Sequence, residues 1–240
     1  MKDKVVLITG ASGGVGTALA NDFYLEMCKL ALHYNKNSEK ADEMKQHFNC
    51  ITVQADIGNS FEVYNMISKV VSHYGRIDIL INNAGIHDDN LIWKMTDEQW
   101  NRVIATNLTG PFLAMKNVIP YMRKQQFGRI INISSVVGQI GVAGTSNYAA
   151  SKAGLMGLTR AVAKEMVLNN VTVNALSLGY FNTGLFKKLS EPVQQQVVGG
   201  IPMARTGNME ELTSMVLFLC SEDASYITGQ NIHLNGGLYM

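Results

Sequence analysis

Tyr148 and Lys152 stand four residues apart in the stretch Tyr148-Ala149-Ala150-Ser151-Lys152. On a helix, positions i and i+4 share one face. An ammonium beside a phenol favours the phenolate and lowers the phenol pKa from about 10. A phenol tuned in this way can donate a proton to a carbonyl oxygen near neutral pH. A tyrosine–lysine pair at this spacing is common by chance and then only decorates a surface, so its surroundings decide its meaning. Ser135 closes an apolar run thirteen residues earlier, in Asn132-Ile133-Ser134-Ser135. A glycine-bearing loop from Gly138 to Gly144 lies between them, placed to border a substrate.

A second group of residues carries different chemistry. Thr9-Gly10-Ala11-Ser12-Gly13-Gly14-Val15-Gly16 follows the apolar run Val5 to Ile8 and opens a helical pattern. Glycines between a strand and a helix permit a tight turn and let backbone N–H groups approach a pyrophosphate at the helix N-terminus. The spacing of Gly10, Gly14 and Gly16 differs from the usual dinucleotide fingerprint. About 20 residues further on, an acidic residue would hold the ribose 2′-hydroxyl of NAD. Here the chain reads Tyr34-Asn35-Lys36-Asn37-Ser38, with no carboxylate before Glu39. A carboxylate would repel a 2′-phosphate, whereas Asn35, Lys36 and Ser38 can satisfy one. The expected cofactor is therefore NADP(H), against the plainer reading of Lys36 as a surface lysine in a polar loop.

These residues need a scaffold, and the rest of the chain reads as one. Apolar runs at Val5 to Ile8, Leu30 to Tyr34, Ile51 to Val53, Ile77 to Ile81, Arg129 to Ile133 and Val171 to Leu176 read as strands. Asn231 to Leu234 would supply a seventh. Helical patterns near Val15 to Cys28, Ser38 to Phe48 and Phe61 to His73 alternate with the first of these. Short apolar strands separated by helices imply a parallel sheet covered on both faces. With no repeat or linker to divide the chain, the expectation is a single-domain, doubly wound α/β Rossmann fold of about seven strands.

Bulk properties exclude other classes. Of 240 residues, 47% are hydrophobic and 16% charged, enough to bury a sizeable core and too apolar for disorder. A net charge of +1 argues against nucleic acid or a membrane surface as the partner. Cys28, Cys50 and Cys220 are scattered singly, which suggests buried thiols rather than a disulfide framework or a zinc site. The N-terminus offers only Val5 to Thr9 before Gly10, too short for a signal peptide. No apolar run approaches the ~20 residues of a membrane span. The expected location is the cytoplasm, and no metal site is expected.

Taken together, these motifs resemble the short-chain dehydrogenase/reductase family over the chain from Val5 to its end. The glycine turn with Thr9 resembles the pattern TGxxxGxG, and Asn82-Asn83-Ala84-Gly85 matches NNAG. The resemblance implies that Tyr148 is the acid/base and that Lys152 binds the nicotinamide ribose while tuning Tyr148. It implies that Ser135 hydrogen-bonds the reacting carbonyl and that Asn107 holds a water in the proton relay. It places the cofactor on Gly10, Ser12, Gly13, Gly14, Val15 and Gly16, and on Asn35, Lys36 and Ser38. Asp56 and Ile57 would meet the adenine, Asn83, Ala84 and Gly85 the adenosine side, and Gly179 and Thr183 the nicotinamide. Two departures stand out. Leu178 replaces the proline of the pattern PGxxxT, and Gly13 stands where many NADP-using relatives carry a basic residue.

The segments Ile201 to Arg205, Ala224 to Gln230 and Asn235 to Met240 resemble the tail of bacterial 3-oxoacyl-[acyl-carrier-protein] reductases. Acetoacetyl-CoA reductases share much of that tail. The resemblance implies reduction of an acyl thioester, docking of an acidic acyl carrier protein and a homotetramer. Two positions often basic in those reductases are Gln126 and Asn169, and Arg123, Lys124, Arg129 and Lys164 are the expected substitutes. The run Met215 to Leu219 fits either a subunit interface or a core helix. His87-Asp88-Asp89 reads as a solvated loop tip at the substrate mouth, and His33 and His233 as packed or edge residues. Met156, Met166 and Met215 read as core filling. A protein of another class, sensing the nucleotide without catalysis, would need neither Tyr148 nor Lys152, and both are present.

Overall fold

Seven apolar runs of the chain each form a strand, and those at the centre of the sheet are buried on both faces while the outer two are partly exposed. The computed structural model describes residues 1–184 and 186–240. In chain order the elements are β1 (Val5–Ile8), α1 (Gly14–Leu25), β2 (Lys29–Tyr34), α2 (Ser38–Phe48), β3 (Ile51–Gln54) and α3 (Ser60–Tyr74). There follow β4 (Ile79–Asn82), α4 (Asp97–Ile104), α5 (Gly110–Gln125), β5 (Gly128–Ser135), the single turn α6 (Val137–Ile140) and α7 (Ser146–Met166). The chain ends with β6 (Val171–Leu178), α8 (Glu191–Gly199), α9 (Met209–Cys220) and β7 (Asn231–Leu234).

The strands form one parallel sheet in the order β3-β2-β1-β4-β5-β6-β7. This is the doubly wound α/β order, in which ligands bind beyond the carboxyl ends of the strands where the order reverses. The reversal lies between β1 and β4. Side chains alternate across the sheet into two cores. Val6 and Ile8 pack with Leu19, Phe23, Leu212 and Val216 on one face. Val5 and Leu7 pack with Val63, Ile67, Val118 and Met166 on the other. Each fully buried aliphatic side chain contributes roughly 1.5–3 kcal/mol.

Capping sets the helix starts that sit near the site. Asn59 accepts from the amides of Phe61 and Glu62 to start α3, and Asn37 accepts from Lys40 to start α2. Such caps are worth about 1 kcal/mol each.

Several expectations shift. Ile77 lies outside β4 because the Gln125 side chain takes both its amide and its carbonyl, at 3.3 and 2.9 Å. β5 and β6 run two residues beyond the apolar pattern, ending at Ser135 and Leu178, which pair with each other. Leu178 thus continues a strand, and Val136 donates to its carbonyl. The expected loop from Gly138 begins as the helical turn α6. Met215 and Leu217 pack against the core while Val216 and Leu219 are fully buried, so α9 is a core helix. The three cysteines are buried thiols, and Met156 and Met166 fill the core. Among the described residues no helix is long and apolar enough to cross a membrane.

Arg129 is the clearest correction. Its side chain is wholly buried, so it cannot serve as a docking cation. The guanidinium instead caps the carbonyls of Gly128, Asn170 and Ser221 and reaches Glu222 at 3.3 Å. It therefore ties the start of β5 to the ends of α7 and α9. Arg129→Met keeps the bulk but removes the guanidinium's hydrogen bonds to these acceptors. It should lower unfolding stability by about 3 kcal/mol in urea denaturation, with the same cofactor affinity. A loss within the error of the wild type would show that the guanidinium is dispensable.

Candidate active site

Most candidate segments lie at the carboxyl ends of strands, and the helices that carry Asn107, Tyr148 and Lys152 pack beside them, which is why residues from distant parts of the chain meet. The glycine turn after β1 has a steric requirement at three of its four glycines. Gly10 has φ +64°, and a Cβ there would come within 2.8 Å of Ala84 Cα. At Gly16 a Cβ would sit 2.5 Å from the Gly10 carbonyl oxygen. At Gly14 it would run into the side chain of Thr183, which lies directly over the start of α1. Gly13 differs: its backbone is extended (φ −79°, ψ 164°), and a Cβ would meet only Gly10 O, at 3.5 Å. Ser12 and Val15 are half-buried beside it.

Two neighbouring strands hold this turn in shape. The Gly10 amide donates to His33 Nδ1 at 3.0 Å, and His33 Nε2 lies 2.9 Å from the carbonyl oxygen of Ala55. An accepting Nδ1 requires the proton on Nε2, so His33 is neutral and bridges the glycine turn to the end of β3. Burial holds its pKa below the ordinary value, in keeping with that role. From the other side Asn83 Nδ2 donates to the carbonyls of Thr9 and Gly10, both at 3.0 Å. The Thr9 hydroxyl accepts from the amides of Asn83 and Ala84. Asn83 is thus spent on shaping the turn.

The remaining cofactor candidates divide in the same manner. Asn35, Lys36 and Ser38 are exposed at the N-terminal end of α2, a position that favours an anion. Asp56 is exposed, and its carboxylate accepts from the Gly58 amide at 2.9 Å. The side chain of Ile57 is buried in the core, leaving only its backbone to face a ligand. Gly179 serves a close approach, since a Cβ there would be 2.7 Å from Asn235 Cα. Gly85 leaves space beside Lys152, whose Nζ would stand 3.7 Å from a Cβ at that position. A long, narrow dinucleotide fits this arrangement: open glycine backbone, a helix N-terminus and a buried ammonium below Gly85.

The polar centre forms where α7 crosses the end of β5. Lys152 is buried, and its Nζ donates to the Ile133 carbonyl at 2.7 Å. The Lys152 carbonyl in turn accepts from Ser134 Oγ at 3.2 Å. One turn earlier on the same helix face, Tyr148 stands with its ring centroid 5.6 Å from Lys152 Nζ. The Ser135 hydroxyl accepts from the Val137 amide at 3.2 Å and lies by the phenol, favouring its charged form.

The electrostatics correct the expectation for the tyrosine. Burial pushes the Tyr148 phenol up to about 12, outweighing Ser135. Burial also lowers Lys152 to about 8. In the protein alone Lys152 therefore does not produce a low phenol pKa, because its charge is itself penalised and is directed at Ile133.

Asn107 lies in a five-residue π-helical segment, Ala105–Thr109, between α4 and α5. Such irregularities often mark functional sites. Its buried side chain bonds both backbone groups of Ile86, at 2.8 and 2.9 Å, and so fixes the segment after Gly85 rather than presenting its amide to solvent. Asn147, not singled out in the sequence, performs a similar task. It donates to the carbonyls of Asp88 and Gln99 and accepts from the Tyr148 amide.

The loop after Gly85 is exposed at His87 and Asp89, as expected, but Asp88 is held within it. Asp88 is ion-paired with Arg102 and accepts from Gln99 Nε2 at 2.9 Å. His87 stacks on Tyr148, with ring centroids 3.7 Å apart and planes 23° from parallel. His33, Thr9 and His87 all gain their roles from partners far along the chain. The one local signal was a polar side chain at the end of an apolar strand, in the case of His33. Among the described residues no cluster of three or more His, Cys, Asp or Glu could hold a metal ion.

Comparison with known proteins agrees with this geometry. A family described as enoyl-(acyl carrier protein) reductase matches residues 10–239. The chain is 41% identical over 242 residues to a 3-oxoacyl-[acyl-carrier-protein] reductase of Staphylococcus aureus, covering 99% of this chain and 98% of that protein. It is 40% identical over 243 residues to the protein of that name from Staphylococcus epidermidis, covering 99% and 100% of the two chains. A Salmonella typhimurium relative, again so named, is 38% identical over 238 residues, covering 99% and 98%. With the strand order, the glycine turn and the serine, tyrosine and lysine all in register, the chain belongs to the short-chain dehydrogenase/reductase family, as an oxidoreductase that works with a nicotinamide cofactor.

Proposed function

We propose that the protein reduces a 3-oxoacyl thioester to the 3-hydroxyacyl thioester with NADPH, in fatty-acid or related biosynthesis, on acyl carrier protein. The observation that carries this reading is the meeting of Ser135 and Tyr148 above a buried Lys152. Two hydroxyls converge where a carbonyl oxygen would become an alcohol. Bound NADPH would supply the hydride to the carbonyl carbon. Ser135 orients and polarises the oxygen, and Tyr148 gives it the proton. Among the described residues Lys152 Nζ has one hydrogen-bond partner, so its remaining N–H groups suit ribose hydroxyls, and its charge stabilises the phenolate left behind. Asn107 acts through Ile86, keeping the loop beside this centre in place, and any water it holds rests on its backbone.

The relatives named above are 3-oxoacyl-[acyl-carrier-protein] reductases, which supports the substrate class. Arg123, Lys124 and Lys164 are exposed and form the cationic face proposed for the carrier. We place the chain in a homotetramer, supported by the open edge of β7 and by exposed Trp100 and Phe112 on α4 and α5. Light scattering at micromolar concentration should give about four chain masses, and a monomer would overturn this assembly.

For the cofactor, exposed Lys36 at the start of α2 supports a preference for NADPH over NADH of about tenfold or more. Competitive binding measures it directly. Lys36→Asp should erode the preference, and tighter binding of NADH to the wild type would refute it.

For catalysis, Tyr148→Phe removes only the hydroxyl. It should bind NADPH normally while single-turnover reduction of an acetoacetyl thioester falls by ~100-fold or more. Lys152→Ala should weaken NADPH binding as well as turnover, giving a different signature. Acetoacetyl-carrier protein, acetoacetyl-CoA and a crotonoyl thioester assayed in parallel separate carrier, CoA and enoyl substrates. Near wild-type reduction by folded Tyr148→Phe would place the acid elsewhere.

A further inference from the structure

His87 belongs to none of the functions above, yet its ring makes the closest aromatic contact of the site. It stacks on the Tyr148 phenol at 3.7 Å between centroids. Its Nδ1 faces Asp89 Oδ1 at 3.4 Å, and its side chain is partly exposed. The loop that carries it is fixed from three directions. Asn107 bonds the backbone of Ile86 on one side. Asn147 bonds the Asp88 carbonyl, and Arg102 and Gln99 hold the Asp88 carboxylate. The stack is therefore built into the scaffold through residues of α4, α7 and the π-helical segment.

We propose that His87 is a positioning residue for Tyr148: its ring, stacked on the phenol and paired with Asp89, fixes the phenol's orientation and makes the charge facing the phenol depend on whether the imidazole carries a proton. The inference rests on Tyr148 being the proton donor.

The charged and titratable groups around the pair are few. Asp89 lies on the same loop, Lys152 and Tyr148 come from α7, and Tyr180 faces the phenol from beyond β6. Asp88 is turned away to Arg102. With a neutral imidazole, the pair presents the negative charge of Asp89, which opposes formation of the phenolate. Protonation of His87 cancels that charge. Burial and Lys152 press His87 towards its neutral form while Asp89 favours the cation, and its pKa lies below the ordinary 6.5. Reduction leaves a phenolate on Tyr148, so the chemical step should quicken as the pH falls through the titration of His87.

The substitutions have opposite expected effects. His87→Phe keeps an aromatic ring on the phenol but never cancels Asp89. Its single-turnover rate with saturating NADPH should stay at the slow plateau and lose the step below about pH 6.5. Asp89→Asn removes the opposing charge at every pH and a group that favours the imidazolium, so its rate should exceed the wild type's near neutral pH, with the step moved to lower pH. His87→Ala also loses the stack, which should lower the rate a further ~3-fold without changing NADPH affinity.

A second readout needs no turnover. In proton NMR of the protein without substrate, the His87 Cε1–H resonance should be displaced by the Tyr148 ring current and should return in Tyr148→Ala. An undisplaced resonance in the wild type would overturn the stack. If Tyr148→Phe is inactive while the pH profiles of His87→Phe, Asp89→Asn and the wild type superimpose, the role given to His87 is wrong and the donor assignment stands. If Tyr148→Phe is active, the donor assignment itself has failed.

Discussion

The polar centre depends on a two-way clasp between α7 and β5. Lys152 gives a hydrogen bond from its ammonium to Ile133 and receives one at its carbonyl from Ser134. The two bonds fix both the height of α7 along the strand and its rotation about its own axis. Because Tyr148 lies one turn earlier on that helix and Ser135 one residue later on that strand, the clasp brings the two hydroxyls together. Gly138 allows it, since a Cβ there would stand 2.8 Å from the Ala153 amide nitrogen. Sheet register, helix rotation and the chemistry of the site are thus set by the same few atoms.

The clasp has an electrostatic cost. A buried ammonium with one carbonyl partner is under-solvated, and desolvation shows in the low pKa of Lys152 and the high pKa of Tyr148. The scaffold holds both groups in states that neither would choose in water. Such a centre is completed by what binds to it. Ligand hydroxyls beside Lys152 would restore the hydrogen bonds that burial removed, and with them the ammonium's hold on the phenolate. Strength of binding and readiness for chemistry therefore rise together at this residue.

The architecture was legible because the central parallel strands are buried on both faces and so read as continuous apolar runs, while glycines mark the turn after β1. Even Asn231 to Leu234, the edge strand, lies where its pattern placed it. Long side chains were less readable, because sequence shows their type but not their direction. Arg129 has the composition of a surface cation and is instead an internal brace. Lys152 lies one helical turn from Tyr148 as its spacing implied, but its Nζ bond depends on β5, nineteen residues away. His87 and Asp89 read as solvated and are exposed, but the ring stacked on His87 comes from α7, sixty-one residues away, and nothing in the sequence marks it. Expectations drawn from backbone periodicity held, and those drawn from side-chain charge needed the tertiary structure.

Gly13 has a consequence of a different kind. The other glycines of its turn are sterically required, but Gly13 is extended and open, so most residues fit there. Drift at this codon is invisible to folding while altering the charge beside the expected 2′-phosphate end of the cofactor. Nucleotide choice can thus diverge between lineages without a compensating change in the core, and the turn keeps its shape whichever residue a lineage carries there.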